Sequence, residues 1–146
     1  MSQRVAGLAL CLIGTLVFIG SFATWGTCPT TPCGGILQAF SEYSGTDLGF
    51  GTVTALAGLA LVVIGIASLV RPGRYDLTAA AAMAASAIVA GAVGSILWMF
   101  VLPGDDKEFV SVPFTAAFVA ILGLISLGLS RSLPWPRTQV SGNSPT

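Results

Sequence analysis

The stretch LGFGTVTALAGLALVVIGIASLV, Leu48 to Val70, contains no Asp, Glu, Lys or Arg. A helix crosses a hydrocarbon core of about 30 Å in about 20 residues, so this run is long enough to span a bilayer. Its glycines and alanines are not scattered. Gly51, Ala55, Gly58 and Gly65 fall at spacings of three, four and seven, which places them along one helical face. Turn chemistry bounds the run: Ser44-Gly45-Thr46-Asp47 offers Thr46 or Asp47 as an N-cap, and Arg71-Pro72-Gly73 stops the helix.

Three more such runs flank it. Spans are expected at about 5–25, 48–70, 77–102 and 113–130, each free of charged residues. Leu102-Pro103-Gly104 ends the third, and Pro113 falls near the first turn of the fourth. The whole chain agrees with this reading. Of its 146 residues 54% are hydrophobic and 8% charged, with a mean hydropathy of +0.89, whereas soluble domains carry about 25% charge. The fold expected is an all-α integral membrane protein, an antiparallel up-down-up-down four-helix bundle. Residues 1–133 form one membrane domain, and the polar stretch 134–146 is a disordered cytoplasmic tail.

Arginines set the direction. Arg4, Arg71, Arg74, Arg131 and Arg137 share the side of the N-terminus, the middle loop and the C-terminus, and the other side holds only Lys107. The positive-inside rule then makes both termini cytoplasmic, in a plasma (inner) membrane. Trp25 and Trp98 are expected as anchors at the outer boundary and Trp135 at the inner one. A competing reading of the first span is a secretory signal: Arg4, an apolar run from Val5 to Gly20, and the small-x-small triplet Ser21-Phe22-Ala23.

Apolar faces gain little from meeting one another in lipid, so small residues mark where helices approach. Span one offers Gly7, Cys11, Gly14 and Ser21; span four offers Ala116, Ala120, Gly123 and Ser130. Span three offers Ala80, Ala84, Ala87, Gly91 and Gly94, more small positions than one neighbour uses. That stripe is therefore the candidate surface for a partner helix, from another membrane subunit or a second copy.

The outer loop, 26–47, carries TWGTCPTTPCGG from Thr24 to Gly35. Cys28 and Cys33 lie on the oxidising side and are read as a disulfide staple, closing a ring of six residues and contributing about 2 kcal/mol. Cys11 falls mid-span as a packing residue. Ile36, Leu37, Phe40 and Tyr43 fall on one helical face, which predicts a short amphipathic helix lying on the membrane or docking a partner. Asp105, Asp106 and Glu108 with Glu42 or Asp47 read as solvated loop acids, with cation binding as the sharper alternative.

In span number, and in an outward cysteine pair at a helix end, the chain resembles four-helix membrane oxidoreductases of the DsbB and vitamin K epoxide reductase type. That resemblance implies thiol-disulfide exchange at Cys28 and Cys33. The pair here has four intervening residues where that family has Cys-x-x-Cys, and only Cys11 remains for a second pair. An outer Trp25 ahead of paired cysteines is also similar to claudin-like four-span proteins. Their Gly-Leu-Trp element is missing, and the loop is short for their extracellular sheet.

Composition narrows the function. The chain has no histidine, which excludes His-ligated metal and haem and His general-base catalysis. Zero net charge with no basic cluster gives no footprint for nucleic acid. Uncharged spans offer no proton relay or ion path. The function expected is a non-enzymatic accessory or scaffold subunit of a membrane complex, without cofactor or metal. The alternatives are the thiol-disulfide oxidoreductase and a lipid-binding or apolar-substrate protein.

Overall fold

The computed structural model describes residues 3–27, 42–46, 49–70, 77–101 and 114–131. Within them the chain is mostly helical: α1 (Gln3–Gly20), α2 (Phe50–Val70), α3 (Thr78–Val101) and α4 (Phe114–Ser130). Two short strands, β1 (Thr24–Thr27) and β2 (Glu42–Ser44), stand between α1 and α2. α2, α3 and α4 lie inside the expected spans, whereas α1 begins two residues ahead of the first, at Gln3. Only α2 and α3 are long and apolar enough to cross a membrane by length and composition; α1 and α4 are shorter, at 18 and 17 residues.

Each helix packs on two others, α1 on α2 and α4, and α3 on α2 and α4. Backbones approach where side chains are absent. A Cβ on Gly14 would lie 2.6 Å from the Gly58 carbonyl oxygen, and one on Gly65 would lie 2.7 Å from that of Gly7. Low numbers in α1 meet high numbers in α2, so the pair is antiparallel. Gly91 of α3 faces Thr54 and Phe50 of α2, and Gly123 of α4 faces Ile88 and Val89 of α3. Between these approaches Leu10, Val17, Leu61, Ile88 and Val119 fill the centre, fully buried.

The exterior of the helices is apolar, unlike that of a water-soluble bundle, over a core that also holds hydroxyls. Ser21, Thr54, Ser68, Ser95, Ser126 and Ser130 are buried, while each helix turns large apolar side chains outward, among them Leu12, Leu56, Met83 and Phe118. Hydroxyls survive inside because each reaches a carbonyl of its own helix: Ser68 donates to Ile64, Ser95 to Gly91 and Ser126 to Leu122, each at 2.9 Å. No buried polar side-chain atom among the described residues is left unbonded.

The segment after Gly20 departs from the sequence expectation. The first helix ends there and does not continue to Trp25, because its last turn tightens: Phe22 N–H donates to Ile19 O and Ala23 N–H to Gly20 O. The following residues pair antiparallel with β2, Thr24 opposite Ser44, Gly26 opposite Tyr43 and Thr27 opposite Glu42. A strand pair therefore forms in a loop expected to hold none. Tyr43 belongs to that strand, which corrects its place on the amphipathic helix; Ile36, Leu37 and Phe40 lie outside the described residues. Nor does Thr46 cap α2. The helix begins at Phe50 after Gly49, and the Thr46 hydroxyl is 2.8 Å from that of Ser44.

Candidate functional site: the strand-capped end of the bundle

The described residues concentrate their unusual chemistry at one end, where β1 and β2 sit over α1, α2 and α4. Two residues of β1, Thr24 and Gly26, oppose the consecutive pair Ser44 and Tyr43, so Trp25 is the extra residue of a β-bulge. A bulge re-aims a side chain, and Trp25 turns inward until 1% of it is exposed. Its indole N–H donates to the Gly20 carbonyl at 2.7 Å, so the polar atom of the ring is satisfied at the end of α1. A ring laid among headgroups was the sequence expectation; the ring is instead a plug in the bundle end.

Glycines let the second strand close over that plug. A Cβ on Gly45 would lie 2.5 Å from Cε2 of Trp25 and 2.7 Å from the Ser21 carbonyl, and one on Gly51 would overlap the Gly45 peptide. Gly45 N–H donates to Ala23 O and Thr46 N–H to Ser21 O, which pins the return strand to the end of α1. Beneath, the Ser21 and Thr54 hydroxyls meet at 2.8 Å, and from the side Thr115 of α4 donates to Thr24 O at 2.9 Å. Three helices thus fix one strand pair. Thr27 and Glu42 are register partners, so residues 28–41 leave and re-enter this frame at adjacent points.

Cys28 and Cys33 lie outside the described residues, as do Asp47, Asp105, Asp106, Glu108 and Trp135. Trp98 is within α3, with its side chain likewise not described. Cys11 is a free thiol against α2, its Sγ 3.5 Å from the Val62 carbonyl oxygen. Among the described residues no group of three His, Cys, Asp or Glu gathers to hold a metal ion.

The candidate stripe on α3 is placed mostly inside the chain. Ala84 and Gly91 are buried, Ala80 and Ala87 are partly buried against the core, and Gly94 faces the Phe50 ring. The outward line of α3 is a different set, with Met83, Val93 and Leu97 exposed. Sequence periodicity finds a small face but not which neighbour it meets; Thr54 and Phe50 of α2 occupy its Gly91–Gly94 end. The functional feature that sequence reasoning missed is the Trp25 plug, whose signal was present in the two small residues, Gly26 and Gly45, beside it. Comparison with family models, curated proteins and solved structures finds no match to the chain.

Proposed function

We propose that the chain is a non-enzymatic four-span membrane protein, an accessory or scaffold subunit of a membrane complex with both termini cytoplasmic. The observation that carries this reading is the apolar exterior: large apolar side chains face outward on all four helices, while hydroxyls and most helix-contact glycines face inward beside the Leu, Val and Ile core. In water such a surface would be an aggregation hazard; in a hydrocarbon core it is the solvated state. The short helices α1 and α4, about 26 Å at 1.5 Å per residue, reach across a bilayer that thins locally or lets flanking residues extend to the interface.

Buried hydroxyls bonded to their own helices make a rigid support, with nothing held in reserve for a substrate. The rigid strand-capped end then presents residues 28–41 to a partner outside the membrane. Cys28 directly follows β1, and a Cys28–Cys33 disulfide would stiffen the presented segment where it leaves the frame.

Membrane fractions washed with alkaline carbonate should retain the full chain, with detergent releasing it. A mild-detergent extract should then carry a membrane protein partner in fixed ratio. Replacing both Cys28 and Cys33 by Ser should lower stability while leaving that partner bound. Release by carbonate would sink the membrane reading, and a mixed disulfide trapped by Cys33→Ser would convert the reading to thiol-disulfide exchange.

A further inference from the structure

We infer that the end of the bundle opposite the strands binds phospholipids with anionic headgroups along the α1 and α4 outer faces, with Arg4 and Arg131 as the headgroup ligands. The inference rests on the membrane reading above. Arg4 lies in the first turn of α1 and Arg131 directly follows α4. These helices are neighbours and run in opposite directions, since Gly20 meets Val119 and Thr24 meets Thr115. Both arginines are therefore at one end, and both are exposed.

Among the described residues no carboxylate lies at this end. Glu42, in β2 at the opposite end, is the single acidic residue among the described ones. Along the sequence, five of the six basic residues fall in the first turn of α1, between α2 and α3 or after α4, and five of the six acidic residues fall between α1 and α2 or between α3 and α4, Asp76 and Lys107 being the exceptions. Those two sets of segments carry +4 and −4.

The apolar flank below the charges selects an amphiphile over a free anion. Leu8 and Leu12 continue the exposed face of α1 below Arg4, and Ile121 and Ile125 lie on that of α4. One turn below Arg131, Gly128 faces outward with nothing within 4 Å of where its Cβ would stand. A guanidinium above an aliphatic strip, beside bare backbone, matches a phosphate above an acyl chain.

The full chain, reconstituted in bilayers of equal phosphatidylglycerol and phosphatidylcholine and extracted in mild detergent, should retain phosphatidylglycerol above its bulk share. Arg4→Gln with Arg131→Gln should lower that enrichment, by about five-fold for each arginine, while Lys107→Gln leaves it unchanged. Unaltered enrichment in the arginine variant, or an equal loss from Lys107→Gln, would overturn the inference. So would displacement of the lipid by free glycerol phosphate. Should the double variant misfold, the unmodified protein still decides: enrichment must fall between about 0.05 M and 0.5 M salt, and persistence at high salt overturns it. Failure to enter the bilayer would sink the membrane reading itself, whereas normal insertion without lipid preference sinks the present inference alone.

Discussion

The hydroxyl oxygens of Ser21 and Thr54 lie 2.8 Å apart and join the end of α1 to the first turns of α2 across 33 residues of chain. Ser21 Oγ is also 2.9 Å from Val17 O, and Thr54 Oγ1 is 2.8 Å from Gly51 O. Two protons can fill only two of the three contacts at once: either Ser21 donates to Thr54 and Thr54 to Gly51 O, or Thr54 donates to Ser21 and Ser21 to Val17 O. Either residue alone still has a carbonyl to donate to. Ser21→Ala and Thr54→Val should each cost about 0.5–1.5 kcal/mol, with a coupling of about 0.6 kcal/mol in a double-mutant cycle followed by thermal unfolding. Strictly additive losses would show that the contact between the hydroxyls contributes nothing.

Two helical glycines should respond with opposite sign. A methyl group on Gly14 would stand 2.6 Å from the Gly58 oxygen and 2.9 Å from the Val62 nitrogen, both backbone atoms that move only if the helices part. Gly14→Ala should therefore destabilise by about 1–3 kcal/mol despite alanine's better helix propensity. Gly128 faces open space, and Gly128→Ala should stabilise by up to about 1 kcal/mol. Melting temperatures moving in the same direction for both would refute the assignment of Gly14 to the α1–α2 contact.

Helix positions were legible because apolar length and the Pro-Gly stops act locally. The 48–70 run becomes a helix over Phe50–Val70, and Leu102-Pro103-Gly104 follows a helix that ends at Val101. The small face of α2 was legible too, since Gly51, Ala55, Gly58 and Gly65 are all buried. The strand pair was not. β1 is four residues and β2 three, too short for alternation to register, and their pairing depends on Gly45 fitting against an indole that is remote in sequence. The same non-locality hid the fate of the α3 stripe, whose occupant is Thr54, 37 positions from Gly91.

Trp25 should be the most sensitive single position at the capped end. Truncation to Ala removes the largest fully buried side chain among the described residues and leaves a void under β2, at a cost of about 3–5 kcal/mol. Trp25→Phe keeps most of the volume but takes away the donor to Gly20 O, and should cost about 1–2 kcal/mol. Denaturant or thermal unfolding in one detergent would rank them. Equal tolerance of both changes would mean that the ring sits among headgroups, as the sequence alone suggests.

Gly49 and Gly51 separate backbone strain from crowding within three residues. Gly49 adopts φ +74° with nothing near its missing Cβ, so any penalty there is conformational. Gly49→Ala should cost about 1 kcal/mol and Gly49→Asn less, because asparagine enters the left-handed region more readily. Gly51 has helical backbone, yet a Cβ there would run into the Gly45 peptide, which Trp25 and the hydrogen bond to Ala23 hold in place. Gly51→Ala should therefore exceed both in thermal unfolding. It should also lose its excess in a Trp25→Ala background, where the Gly45 turn is free to move. An excess that survives loss of the indole would place the resistance in α2 itself and not in the plugged strand above it.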